Sequence, residues 1–433
     1  MLLRYAAGAS ALLFVPMKRS HAAADCGPCA SYLIHADRVI DGTGSAPIEE
    51  ASIWVREGRI AYVGPRAEVP QTGEIRVIDG RGLSVMPGLI DGHNGFVGYV
   101  GMLGSVEVLR HYLQFGITTA ISFHGNPEGN QPWGVPLRDA IDQGKLRGCA
   151  RVVVGYVVNC TNAHNHGRTA DGPWEVRRAV REMAQAGADF VKTAASGGFW
   201  GKHEGLRLPN YTREEFDALV DEAHAWGMRV GVHAHSQPGL DRAIEAGADL
   251  IYHGCLMDRA ALEKMAGRGT WFLPTLRITS ERNLDAWPGM PWQRERMGPA
   301  ARPHREGFRL ARELGVPLAM GSDGPGSSHV WKYGESSTFE VAEMVRCGME
   351  PLEAIRTATL NTATAYGIGD RVGSIEPGKE ADLLCVEGNP LDDMERMQDQ
   401  KHVAIVLQQG RVEYAAGAYQ CLYEPKDTFS CKG

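Results

Sequence analysis

Apolar residues change their rhythm twice along this chain. From Ser31 to Ile78 they come in short runs, Tyr32-Leu33-Ile34, Ser52-Ile53-Trp54-Val55, Arg59-Ile60-Ala61-Tyr62-Val63 and Arg76-Val77-Ile78, broken by Gly, Pro and Asp. Such runs predict small strands in hairpins. The same style returns after Pro377, at residues 381–386 and 402–407, the latter followed by Gly410-Arg411. The two ends are expected to build one β-sandwich. Between them, apolar runs alternate with amphipathic stretches, the sign of βα units around a parallel sheet. Eight strand candidates begin at Leu83, Ile117, Arg151, Asp189, Arg229, Leu250, Thr270 and Pro317. Eight is the number of a (β/α)8 barrel.

The helical stretches agree with this architecture. Thr212-Arg213-Glu214-Glu215 is a capping box opening a helix with Phe216, Leu219, Val220 and Ala223 on one face, and Gly227 ends it. Residues 238–246 and 302–314 have similar apolar spacing, each followed by Gly before the next strand. The expected division is a leader at 1–24, a β-sandwich from 25–86 and 377–433, and a barrel at 87–376.

The leader expectation rests on Arg4 before an apolar run from Tyr5 to Pro16 and on Ala22-Ala23-Ala24 before Asp25, a pattern resembling a secretory signal peptide. It implies a secreted or periplasmic location. Lys18, Arg19 and His21 are atypical there, so a cytoplasmic protein with a longer tail stays open. The run is too short to span a bilayer, and no later segment has ~20 consecutive apolar residues. Of nine cysteines, Cys26, Cys29, Cys421 and Cys431 lie near the ends, where disulfides would form in an exported protein. Cys26-Gly-Pro-Cys29 has redox-motif spacing but opens no βαβ unit. With 43% hydrophobic residues, 22% charged residues and a net charge of -7, the chain is globular and lacks the basic balance that nucleic acid or an anionic membrane demands. A small-molecule substrate is the expected partner.

Barrel active sites lie at the C-terminal ends of the strands, so polar residues that terminate apolar runs are informative. The first strand runs into His93, the fourth ends at Lys192, the fifth at His233 and His235, the sixth at His253, and the eighth at Asp323. Singly, each has a bland reading as a hydrogen-bonded core or rim residue. Together they converge on one mouth, and imidazole with carboxylate is a ligand set for zinc or a similar divalent ion. An ammonium at Lys192 would repel that ion. Burial favours the neutral amine, which can take up carbon dioxide to form an anionic carbamate.

Several segments resemble, in order, the motifs of the amidohydrolase superfamily. They are Met86-Pro87-Gly88-Leu89-Ile90-Asp91-Gly92-His93, Val191-Lys192-Thr193-Ala194-Ala195-Ser196-Gly197-Gly198, Val232-His233-Ala234-His235, Tyr252-His253-Gly254, Met320-Gly321-Ser322-Asp323 and residues 373–383. Within it the chain is similar to the imidazolonepropionase-like branch, with Xaa-Pro dipeptidases and the phenylurea and molinate hydrolases. The resemblance implies a metal-dependent hydrolase of C–N bonds. His93 and Asp323 would hold one metal, most simply zinc, and His233 and His253 a second, with carbamylated Lys192 bridging them. His235 would stand behind the ligands. His166 would face the substrate, Tyr211 would polarise the scissile carbonyl, and Asp323 would carry the proton. Relatives are often homo-oligomers. One departure bears on metal number: where the family has His-x-His, this chain has His93-Asn94-Gly95, so one or two ions remain open.

Substrate clues lie in the loops. Phe96, Trp133, Phe199, Trp200, Trp287, Trp292, Trp331 and Tyr333 follow the strands and suit a hydrophobic or aromatic substrate. Residues 283–302 are long for a βα loop and are a candidate lid. Arg294, Arg296 or His329 would bind a substrate carboxylate; if none does, a neutral amide, urea or carbamate is expected. Deamination or opening of a cyclic amide, and a non-catalytic binding relative, are the alternatives.

Overall fold

The computed structural model describes residues 31–70, 75–95, 101–124, 132–161, 163–164, 166–287, 289–324 and 331–423. The expected leader, Cys26, Cys29, Cys431, Phe96 and His329 lie outside these residues. Four strands come first: β1 (Tyr32–Val39), β2 (Ile48–Arg56), β3 (Arg59–Pro65) and β4 (Arg76–Pro87). The barrel follows with β5 (Leu89–Asn94), β6 (Ile117–His124), β7 (Arg151–Asn159), a two-residue β8 (Arg168–Thr169), β9 (Phe190–Ala194), β10 (Arg229–Ala234), β11 (Leu250–His253) and β12 (Trp271–Leu273). The chain closes with β13 (Leu383–Glu387), β14 (Val403–Gln408) and β15 (Arg411–Ala415).

Both chain ends do build a separate β domain, joined by hydrogen bonds into one mixed sheet of order β15-β14-β13-β4-β1-β2-β3. Its alternate residues Ile34, Ile53, Val85, Leu383 and Ile405 are buried in a core of their own. The first barrel strand is displaced from expectation. Leu83 to Met86 belong to β4, where they pair antiparallel with β13, and the barrel begins after Pro87 at Leu89. The physical reason is that both segments are apolar and contiguous, so hydrophobicity alone does not place the break.

In the barrel β5, β6, β7, β9, β10, β11 and β12 run parallel in that order. The eighth position is an irregular segment around Leu318 that bridges Phe272 and closes the ring, with Gly92 N–H donating to Met320 O at 2.9 Å and Asp323 N–H to His93 O at 3.0 Å. Helices on the outside include Pro173–Gln185, Arg213–Ala225, Gly239–Ala246, Arg259–Arg268, Ala301–Glu313 and Glu335–Arg346. The capping box forms as read: Thr212 accepts from Glu215 N–H, and the Glu215 side chain returns to the Thr212 N–H. Side chains fill the barrel interior, with Ile90, Phe123, Val157, Phe190, Tyr252, Leu273 and Tyr366 packed together. These side chains fill the barrel below the strand ends. Arg151, at the start of β7, ties it to the β domain through Asp382 and Glu380, both at 2.5 Å. Among the described residues no helix is long and apolar enough to cross a membrane.

Candidate active site

A cavity of about 440 Å³ opens at the C-terminal ends of the strands. His93, His233, His235, His253 and Asp323 line its floor, as barrel geometry requires of residues ending β5, β10, β11 and the closing segment. His93 Nδ1 and Asp323 Oδ1 lie 3.2 Å apart, and His93, His253 and Asp323 bring one ligand atom each to within 4.8 Å of one another. The His253 ring centroid is 4.9 Å from that of His93 and 4.6 Å from that of His233. His253 Nδ1 shares a hydrogen bond of 2.8 Å with Thr275 Oγ1, which orients the ring. His253, Thr275 and Asp323 all have left-handed backbones, with φ of 72°, 52° and 49°, and such conformations cluster where a site imposes them.

Burial keeps the histidines neutral. It is the main force pulling His233, His235 and His253 well below the ordinary histidine range, reinforced by neighbouring imidazoles. It lowers His93 as well, against the pull of Asp323. Burial works to raise the Asp323 carboxyl, yet the contact with His93 and the Arg277 guanidinium outweigh it and hold the group ionised. Neutral imidazoles beside a carboxylate are the donor set a divalent cation takes.

Lys192 sits in β9 beneath this cluster, fully buried, with Nζ 4.2 Å from the Tyr252 ring centroid and 5.1 Å from that of Phe123. Nζ has no hydrogen-bond partner, nor do the ring nitrogens of His235. Burial pushes the Lys192 amine well below the usual lysine range. A cluster of buried polar atoms left without partners is rare in a folded protein and marks a place where a further group belongs.

Behind the floor, Asp91 accepts hydrogen bonds from Ser322 N–H (2.9 Å), Ser322 Oγ (2.6 Å) and Ser337 Oγ (2.8 Å), locking the closing segment to β5. Asn94 points the same way: its amide donates to Gly324 O at 2.6 Å and contacts Tyr112, so it supplies no ligand, while Gly95 lines the cavity without a side chain. Arg277 reaches the wall but spends its nitrogens on Ser322 O (2.9 Å), Asp323 O (2.6 Å) and Asn283 Oδ1 (3.3 Å), bracing Asp323 from behind.

Other expected residues lie elsewhere. Tyr211 is turned away from the cavity: it is buried in the layer between barrel and helices, and its hydroxyl donates to Ala170 O at 3.1 Å. Its place beside the capping box points the ring inward to Phe216, so it is not available to polarise a carbonyl. His166 lines the mouth but is exposed. Arg294 pairs with Asp285 at 3.2 Å, and Arg296 donates to the carbonyls of Gly198 (3.1 Å) and Gly201 (2.9 Å). Of the aromatic residues, Phe199, Trp200 and Trp287 line the cavity, Trp200 and Trp287 with centroids 4.9 Å apart. Trp331 is buried against Phe339, and Trp292 stacks with Arg296. The long loop folds into short helices, Glu281–Asp285 and Pro291–Met297, that carry Trp287 and Met297 into the wall.

Sequence reasoning missed Phe123, Arg277, His164 and Glu204, all of which line the cavity. His164 and Glu204 come from loops that carry no strand-end signal, and only the fold brings them together.

The family model for the amidohydrolase family matches residues 84–412. An ochratoxinase from Aspergillus niger is 27% identical over 436 residues, spanning 88% of this chain and 86% of the relative. An imidazolonepropionase from Deinococcus radiodurans is 27% identical over 408 residues, spanning 86% of this chain and 92% of the relative. Among solved structures, a Xaa-Pro dipeptidase with bound methionine in its active site aligns with a TM-score of 0.79 at 30% identity, covering 89% of this chain and 100% of that one.

Proposed function

The chain belongs to the amidohydrolase family, and from that premise we propose that it hydrolyses a neutral amide, urea or carbamate bearing a hydrophobic or aromatic arm. Metal-dependent hydrolysis of a carbon–nitrogen bond is the chemistry of the family. The observation that carries the reading is the group of His93, His253 and Asp323 on the floor of a cavity walled by Phe199, Trp200 and Trp287, with the buried nitrogens of His235 and Lys192 left without hydrogen-bond partners.

Those residues fit a divalent cation, zinc being the simplest choice. His93 and Asp323 would hold one ion and His233 and His253 a second where two are bound, with Lys192 as a ligand to both once its amine adds to carbon dioxide and loses a proton. When bound, such an ion supplies hydroxide near neutral pH and polarises the carbonyl under attack. The chain's own residues do the rest. Asp323 accepts the proton of the attacking water and delivers it to the leaving nitrogen, held for that task by Arg277 through the Ser322 and Asp323 carbonyls. The aromatic wall binds the apolar arm and excludes solvent. A free substrate carboxylate finds no unspent arginine among the described lining residues, which favours a neutral substrate. Export through a leader at 1–24 and assembly into a homo-oligomer belong to the same proposal.

The test is metal content by plasma mass spectrometry alongside hydrolysis of neutral anilides, phenylureas, carbamates and N-acyl amino acids. One or two metal equivalents with turnover of a neutral substrate supports the reading. Preference for the acidic substrates overturns the neutral assignment, and absence of metal after zinc reconstitution overturns the hydrolase mechanism.

A further inference from the structure

Helix Glu335–Arg346 packs behind the cavity wall, and Ser337 and Glu340, three residues apart, share one of its faces. Ser337 reaches Asp91, while Glu340, wholly buried, faces the segment that follows β12. Its Oε1 accepts from the Leu276 N–H and its Oε2 from the Arg277 N–H, each at 2.7 Å. Burying a carboxyl group is costly unless its oxygens are paired, so the backbone that both oxygens grip is informative.

That backbone is a single turn, Leu276–Thr279, entered through Thr275 with φ 52° and ψ 47°. A β-branched residue rarely holds the left-handed conformation. Followed by right-handed backbone, this conformation brings successive N–H groups round to face one anion. Glu340 supplies the anion at that point. Burial pushes its carboxyl up to about 8, while the two N–H groups and the Arg277 guanidinium favour the charged form.

The gripped turn serves the site from two positions. Thr275 Oγ1 meets His253 Nδ1 at 2.8 Å, and the Arg277 guanidinium donates to the carbonyls of Ser322 at 2.9 Å and Asp323 at 2.6 Å. Two members of the group His93, His253 and Asp323 are therefore held by one turn, and that turn is held by one side chain.

We infer that Glu340 is a positioning residue: seated between the N–H groups of Leu276 and Arg277, it fixes the left-handed turn at Thr275 and through it the orientations of His253 and Asp323. This role rests on the proposed hydrolase function and extends it to a residue behind the cavity wall. Partners that orient ligands without touching the metal typically cost about 10–100-fold in metal affinity when altered.

The experiment uses the full chain as wild type, Glu340→Gln, Glu340→Asp and Glu343→Gln. The last is a control on the same helix, where Glu343 pairs with Arg305 and Arg346 instead of with the turn. At about pH 9 the Glu340 carboxyl is charged, and zinc affinity is read by competition with a chromophoric chelator. Hydrogen exchange by mass spectrometry on the metal-free proteins reads residues 274–279. Glu340→Gln is expected to weaken zinc binding by about 10–100-fold and to speed exchange in the turn at least about tenfold, with Glu340→Asp falling between it and wild type and Glu343→Gln within about twofold of wild type on both. Unchanged zinc affinity or unchanged exchange in Glu340→Gln, or equal losses in Glu343→Gln, overturns the proposal. If Glu340→Gln is not recovered folded, Glu340→Asp against Glu343→Gln decides by the same criteria. Absence of zinc binding in the wild type means that the hydrolase reading has failed, and exchange then decides Glu340 alone: faster exchange confined to the Glu340 variants supports its hold on the turn, and unchanged exchange overturns it.

Discussion

Replacing Lys192 by methionine separates two accounts of a buried lysine by the sign of one number. Methionine has nearly the volume of lysine, so packing around the fully buried position is conserved. If the amine is neutral and lacks a partner, as burial and its bare Nζ indicate, the metal-free protein carries the cost of an unsatisfied buried polar group, about 1–3 kcal/mol. The variant removes that cost. Unfolding entropy of about 2.1 cal/mol/K per residue over 433 residues makes 1 kcal/mol worth roughly 1 °C in Tm, so chelator-treated Lys192→Met should melt about 1–3 °C above chelator-treated wild type. If instead the amine is charged and held over the Tyr252 and Phe123 rings, the variant forfeits a desolvated cation–π contact of ~2 kcal/mol and melts lower. Scanning calorimetry on both metal-free proteins reads the sign, and plasma mass spectrometry on the untreated proteins reads the function. A lower Tm in the variant, or full retention of metal and activity, refutes the assignment of Lys192 as a neutral amine reserved for the metal site.

Tyr211→Phe should cost ~1 kcal/mol in urea unfolding, through the lost bond to Ala170 O, and leave kcat/KM within about twofold; a much larger kinetic loss would return Tyr211 to the site. Arg151→Met strands Asp382 and Glu380 between barrel and β domain and should destabilise the chain by about 3–5 kcal/mol, measured as a shift in urea midpoint at constant slope; a change under ~1 kcal/mol would show that the pair is solvated. Gly198→Ala drives a Cβ into His164 and is expected to lower kcat/KM by about 10–100-fold with metal content unchanged, whereas unaltered kinetics would mean the loop yields freely. Dialysis against chelator should abolish hydrolysis and zinc should restore it; activity that survives complete metal removal contradicts the proposed chemistry.

Much of this architecture is legible in one dimension because a barrel converts strand order into spatial convergence. Once apolar runs alternate with amphipathic ones, polar residues ending those runs must meet at one mouth, so His93, His233, His253 and Asp323 are found by counting strands. Strand order also singles out Lys192, though β9 runs two residues past it. The break between Leu83–Met86 in β4 and the first barrel strand was not legible, since an apolar segment carries no mark of which sheet it joins. Direction was the other blind spot. Tyr211 and Arg296 lie close in sequence to the right loops, but the helix that follows one and the carbonyls that capture the other turn them from the cavity. His164 and Glu204 are 40 residues apart, and their pairing depends on two loops crossing over Gly198. Periodicity determines which strand a residue ends; only packing among loops decides where its side chain points and what it meets there.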